Sequence, residues 1–187
     1  MSLATDTSTS LSHEKYFMLE EQLQQKHEYI GGEVFAMTGG SVKHGLIGKN
    51  ATTALDIALK NTPCTAYNSD VKLHIAAADG YFHPDAMVLC DEGIVHDHFV
   101  ESPVLIIEVL SESTEGYDHG KKFAFYRQID ALQTYIMLHQ DTPLTEVYRR
   151  RSDNSWLLKE YAGLDSVIKI NDDLSLSMRD LYNKIDF

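Results

Sequence analysis

The run Pro103-Val-Leu-Ile-Ile-Glu-Val-Leu110 constrains this chain more than any other stretch. A short, continuous run of branched apolar residues reads as a central strand covered on both faces. With a period of two, Glu108 shares a face with Val104, Ile106 and Leu110, so its carboxylate points into packed structure. A buried, unpaired carboxylate is expensive. It demands a cation, a metal ion or a proton as partner.

A chain of 187 residues can bury a real core in one α/β domain, with residues 1–11 expected as a flexible polar leader and 12–187 as the domain. The formal net charge of −12 argues against a bulk nucleic-acid binder but leaves room for a local basic groove. Cys64 and Cys90 match no metal-ligand spacing, and the sequence leaves a disulfide between them open. No stretch is apolar for long enough to span a bilayer, and the Ser/Thr-rich start lacks the basic and apolar regions of a signal peptide. The expectation is a cytoplasmic protein with no membrane partner.

Taken in order, a short helix is expected from Ser12, with Phe17, Leu19 and Leu23 as its core contacts. Two β-rich segments around Gly31-Gly32 predict a hairpin, because glycines tolerate the positive φ of a two-residue turn. A helix over about His44 to Lys60 places Ile47, Ala51, Leu55 and Leu59 on one face. Val71–Ile75 alternates like a half-buried strand, and Tyr81–Cys90 reads as one further strand with His83-Pro84-Asp85 near its entrance. Asp91–Ser102 reads as an acidic connector to the central run, and the two flanking strands are expected to pair. A helix from about Asp118 to Ile129, a strand over Leu132–Leu138, a hairpin of Thr145–Arg150 with Trp156–Tyr161 and a short helix near Met178–Asn183 complete a mixed sheet.

Three charges stand where the pattern calls for apolar residues. Glu108 is the first. Asp85 heads its strand on the parity of Met87 and Leu89. Lys122 shares a helical face with Phe125, Tyr126 and Ile129 and so faces inward. Two carboxylates from neighbouring strands and one inward lysine can make a metal-assisted hydrolytic site: hard oxygen ligands hold Mg²⁺, and the lysine orients water or offsets developing charge. A structural ion pair inside an α/β domain is the competing account. Elsewhere the plainer explanations prevail. His96-Asp97-His98 reads as a solvated segment, Asp70 as a strand start, Asp118 as a helix N-cap and Arg149-Arg-Arg151 as an exposed hairpin end.

The blocks Pro84-Asp85, Pro103-x-x-x-x-Glu108-Val-Leu-Ser111-x-Ser113-Thr114 and Asp118-x-Gly-x-Lys122-x-x-x-Tyr126 resemble the Uma-type "putative restriction endonuclease" family, a branch of the PD-(D/E)XK nuclease-like fold. The resemblance runs from about Tyr16 to the C-terminal Leu-Ser-Leu-Ser-Met-Arg-Asp-Leu segment. It implies a restriction-endonuclease-like mixed β-sheet flanked by helices in a single domain. It also implies a metal-dependent endonuclease acting on nucleic acid, DNA in preference to RNA. Asp85 and Glu108 would bind Mg²⁺, with Mn²⁺ able to replace it, and Lys122 would be the catalytic lysine. In the wider fold the lysine lies two residues after the second acid, where this chain has Leu110, so the resemblance moves that role to the following helix. The family's amino-terminal motif corresponds to Glu28-Tyr-Ile-Gly-Gly-Glu33 and a recurrent histidine to His44, which adds both as further site residues. By analogy, a homodimer is expected. The rival implication is a catalytically silent nuclease-fold module that binds nucleic acid or protein.

Overall fold

The computed structural model describes residues 10–187 except 24, 38, 113 and 173. The expected leader falls mostly outside that range, although the Leu11 N–H already donates to Gly32 O at 2.9 Å. The chain opens with α1 (His13–Gln22), capped by the Ser12 hydroxyl, then β1 (His27–Ile30) and β2 (Glu33–Ala36). Helix α2 (Val42–Leu59), capped by Ser41, leads to β3 (Thr65–Asn68), β4 (Lys72–Ile75), β5 (Gly80–Phe82) and β6 (Ala86–Leu89). Next come β7 (Ile94–Val95), β8 (Phe99–Glu101) and β9 (Leu105–Leu110). A continuous helical stretch then joins α3 (Glu115–Tyr117), a π segment (Asp118–Lys122) and α4 (Phe123–Tyr126). The remainder is β10 (Thr134–His139), β11 (Leu144–Arg150), β12 (Trp156–Ala162), β13 (Val167–Lys169), β14 (Ser175–Ser177) and α5 (Met178–Leu181).

These strands form two six-stranded sheets, in the orders β2-β1-β5-β4-β8-β7 and β12-β11-β10-β9-β6-β3, plus the ribbon β13-β14. The expected single sheet is therefore two. The segment Tyr81–Cys90 is also two strands: β5 ends in the first sheet and β6 begins in the second. Pro84 lies between them, has no N–H for a ladder and marks the crossing. The supposed connector Asp91–Ser102 folds as the β7–β8 edge of the first sheet. Gly31 and Gly32 do take positive φ, 57° and 91°, between the paired Ile30 and Glu33. Cys64 and Cys90 form a disulfide where the β3–β6 ladder ends.

The central strand is β9, parallel to β10 and antiparallel to β6. All six of its residues are buried. Leu105, Ile107 and Val109 pack against Ile47, Ala51 and Leu55 of α2. Ile106 and Leu110 face the opposite core with Leu73 and Phe82 of the first sheet and Phe123 and Tyr126 of α4. Each fully buried aliphatic side chain contributes on the order of 1.5–3 kcal/mol, and this double packing fixes the register of β9. Glu108 lies on the second face, where the two sheets meet. Around α1 the expected contacts shift: Tyr16 is its buried residue, packed on Tyr29 and Tyr81, while Leu23 is 46% exposed.

Candidate functional site

Four elements bring charge to one cleft of about 1730 Å³ between the hairpin β1–β2, the N-terminal half of α2 and the end of β9. Strand β9 supplies Glu108, 3% exposed, and β1 supplies Glu28, 6% exposed. The π segment supplies Asp118 and Lys122 on one face, four residues apart. A π segment widens the helical turn, and such segments are frequent at functional sites. Lys122 Nζ lies 2.9 Å from Glu108 Oε1, 3.3 Å from Glu28 Oε1 and 3.6 Å from Asp118 Oδ1. The Tyr126 hydroxyl donates to Glu108 Oε1 at 2.6 Å, and Tyr117 donates to Glu28 Oε2 at 3.2 Å.

Asp85 joins the cluster from the crossing between sheets. Ala86 pairs with Ile107 across β6–β9, and continuing that register places Asp85 opposite Glu108. The Val109 N–H donates to Asp85 Oδ2 at 2.8 Å, tying the acid to the peptide that follows Glu108. His44, in the first turn of α2, holds Nε2 3.5 Å from the same Asp85 oxygen. Gly48 lies one helical turn further on, and a Cβ there would meet Asp85 only at ordinary contact distance.

The five residues expected from sequence, Glu28, His44, Asp85, Glu108 and Lys122, thus line one cleft. One expectation is corrected. Asp118 is no N-cap: it is 3% exposed inside the helical stretch and faces Lys122, while Thr114 precedes α3. Its i,i+4 spacing from Lys122 was the available signal. The tyrosine contacts carry a weaker one, since helical spacing sets Tyr126 on the Lys122 face without pairing it to Glu108. Asp70 lines the cleft but pairs with Lys26 at 2.8 Å, outside the cluster. His96 stacks on Phe99 in the first sheet, away from the cleft. Arg150 donates to the Arg127 and Ile129 carbonyls at 2.8 Å, and Arg149 donates to the Lys169 carbonyl, so both serve packing.

Charge is unevenly matched here. Burial pushes the Glu108 carboxyl well up, Asp85 and Asp118 add to that, and Lys122 and Tyr126 oppose it. Burial alone would lower the Lys122 ammonium, but Glu108 and Glu28 outweigh it and hold the group well above an ordinary lysine. Asp118 is raised by burial against the pull of Lys122. Three carboxyl groups, of Glu28, Glu108 and Asp118, therefore surround one firmly cationic lysine. Glu28 Oε1 is buried with no hydrogen bond among the described residues, only its ion-pair contact. That surplus of oxygen ligands suits an added hard cation. Among the described residues no three His, Cys, Asp or Glu side chains stand together as a ready metal-ligand set.

Residues 13–180 match the family model "Uma2: Putative restriction endonuclease". Two curated relatives come from Synechocystis sp. (strain ATCC 27184 / PCC 6803 / Kazusa). "Uncharacterized protein slr1290" is 34% identical over 178 residues, covering 95% of this chain and 94% of the relative. "Uncharacterized protein sll1609" is 35% identical over 168 residues, covering 88% and 95%. Among solved structures, "a putative nuclease belonging to DUF820 from Anabaena variabilis ATCC 29413" superposes with a TM-score of 0.69 at 19% identity, covering 87% of this chain and 94% of that one. At that identity the likeness speaks to the fold.

Proposed function

Since the chain belongs to the Uma2 "Putative restriction endonuclease" family, we propose that it is a metal-dependent nuclease that hydrolyses phosphodiester bonds of DNA. The observation that carries this reading is the approach of Lys122 Nζ to within 2.9 Å of Glu108 Oε1 at the floor of a cleft that Asp85 also lines. Asp85 and Glu108 would hold Mg²⁺, with Mn²⁺ as a substitute. The protein contacts described above fall on Oδ2 of Asp85 and Oε1 of Glu108. When bound, the ion supplies charge neutralisation at the phosphoryl oxygens and makes water more acidic.

The side chains supply the rest. Lys122 stays cationic, so it orients the attacking water and offsets negative charge as the phosphorus becomes five-coordinate, but it does not take the proton. Tyr126 fixes the rotamer of Glu108, and the Val109 N–H fixes Asp85. Burial of both Glu108 and Lys122 keeps their fields poorly screened. A homodimer is expected by analogy with nuclease-fold enzymes that work in pairs.

A specific observation favours a second reading, a silent binding module: Lys122 already contacts Glu28, Glu108 and Asp118 and could be a structural counterion. One pair of measurements separates the two. Plasmid and single-stranded DNA are incubated with Mg²⁺ or Mn²⁺ and wild type or Asp85→Ala, and metal binding is followed by titration calorimetry. The nuclease reading expects cleavage to fall at least about 100-fold in the variant and metal binding to weaken with it. Equal cleavage by both proteins, or no metal binding at millimolar concentration, would favour the module.

A further inference from the structure

We infer that the cleft takes a single DNA strand, with Phe35 as a stacking platform for a base beside the scissile phosphate. This rests on the nuclease reading for the same cleft and names its substrate class. Glu28 and Phe35 are direct partners across β1–β2, so both project from one face of the hairpin. Directly opposite Cβ atoms lie about 4.5–5.5 Å apart, which puts the ring next to the carboxylate that touches Lys122. Phe35 is 47% exposed and lines the cleft wall. An aromatic face left in water beside a charged floor suits a nucleobase, since every base offers a π-face and stacking needs no sequence.

The charges on the walls size the ligand. Above the floor, Glu33, Asp70 and Glu112 are matched by Lys26, Lys49 and Lys121. Lys26 is held by Asp70 and Ser69, whereas Lys49 and Lys121 are exposed and make no ion pair among the described residues. No arginine lines the cleft among those residues. Two uncommitted lysines fit the phosphates of a short single strand. A protein that grips duplex DNA commonly makes about 6–10 phosphate contacts and reads base edges with arginine. Depth points the same way. Glu108 and Lys122 are 3% and 5% exposed, so the phosphate has to descend to them, which a flexible strand does more readily than a stacked duplex.

The test is fluorescence anisotropy with a labelled thymidine dodecamer and with a labelled duplex of equal length, each in EDTA and in Ca²⁺, followed by cleavage of the same substrates in Mg²⁺. The single strand is expected to bind at least about 10-fold tighter than the duplex. Phe35→Ala should weaken single-strand binding about 5- to 100-fold, and Phe35→Trp should retain it. Phe35 is half exposed, so neither change removes core. Single-strand preference with the Phe35→Ala loss but no cleavage would support this inference while sinking the nuclease reading. Duplex binding as tight as single-strand binding, an unaffected Phe35→Ala protein, or no binding to either DNA overturns the inference even if duplex is cleaved.

Discussion

On one side of the π segment Lys122 stands among Glu28, Glu108 and Asp118; on the other, Glu146 of β11 stands between His119 and His139. Both clusters hang from the same five residues, Asp118–Lys122, yet their balances are opposite. The first holds one cation within a surplus of carboxylates at the buried floor of the cleft. The second holds one carboxylate within a surplus of imidazoles, with His119 29% and His139 20% exposed at the side chain. His119 Nδ1 faces the Glu115 carbonyl at 2.9 Å and its Nε2 faces Glu146 Oε1 at 2.9 Å. Both oxygens accept, so the arrangement favours the doubly protonated, cationic ring. The second cluster thereby satisfies itself. The first cannot, because one ammonium does not balance the three carboxyl groups in contact with it. Self-sufficiency marks a brace, and a standing imbalance marks a place for something added.

The largest effect that separates the two is expected from Lys122→Met. Removing one partner of a buried ion pair leaves charge uncompensated and costs about 3–5 kcal/mol. Urea denaturation of wild type and variant measures it. A cost under about 1 kcal/mol would mean that the carboxylates do not depend on Lys122, and the contrast between clusters would collapse.

Tyr126→Phe probes the same floor more gently. The ring keeps its edge contacts with Phe82 and Tyr135, while the hydroxyl donated to Glu108 at 2.6 Å is lost. A hydrogen bond to a charged group contributes about 1.5–3 kcal/mol, so a loss near 2 kcal/mol is expected by the same denaturation. The cleavage rate should fall as Glu108 gains rotamer freedom. An unchanged stability would show that Lys122 alone sets the Glu108 rotamer.

The floor was readable in the sequence because each of its charges violates a pattern. Glu108 interrupts a strand buried on both faces, Asp85 keeps the parity of Met87 and Leu89, and Lys122 lies on the helical face of Tyr126. A violation within a regular element is a local signal, and each of these could be found from its near neighbours. The division into two sheets was not local. Whether Gly80–Phe82 and Ala86–Leu89 are one strand or two depends on partners 50 residues before and 20 after, β1 and β9, and a Pro at an element boundary marks a break without saying which sheet follows. Asp118 departs from the expected cap for a related reason. Asp near a helix start is ordinarily a cap, but α3 begins three residues earlier, which turns the same residue inward. The Glu146 cluster left no trace at all, since Glu in an exposed-looking hairpin and two distant histidines break no pattern.

Glu146→Gln is expected to have the smallest effect and the clearest dependence on pH. Burial would raise the Glu146 carboxyl, but donors from His119, His139 and Tyr148 outweigh it and leave the group below an ordinary glutamate. Burial would lower His119, but Glu146 and the Glu115 carbonyl outweigh it and leave the imidazole above an ordinary histidine. A depressed carboxyl stabilises above its unfolded value of about 4.3 and loses that contribution as pH falls through its folded value. A raised imidazole stabilises below its unfolded value of about 6.5 and loses that contribution as pH rises through its folded value. Both contributions are present together only between those limits. The cost of Glu146→Gln should therefore peak near pH 5.5, at about 1 kcal/mol for a partly exposed pair, and shrink toward pH 4 and pH 9. Lys122 stays cationic throughout that range, so its own titration adds no alkaline limb to the cost of Lys122→Met. Denaturation series from pH 4 to pH 9 on both variants make the comparison. A Glu146→Gln cost that is flat with pH would mean that His119 is neutral, and the two clusters would then differ in depth but not in kind.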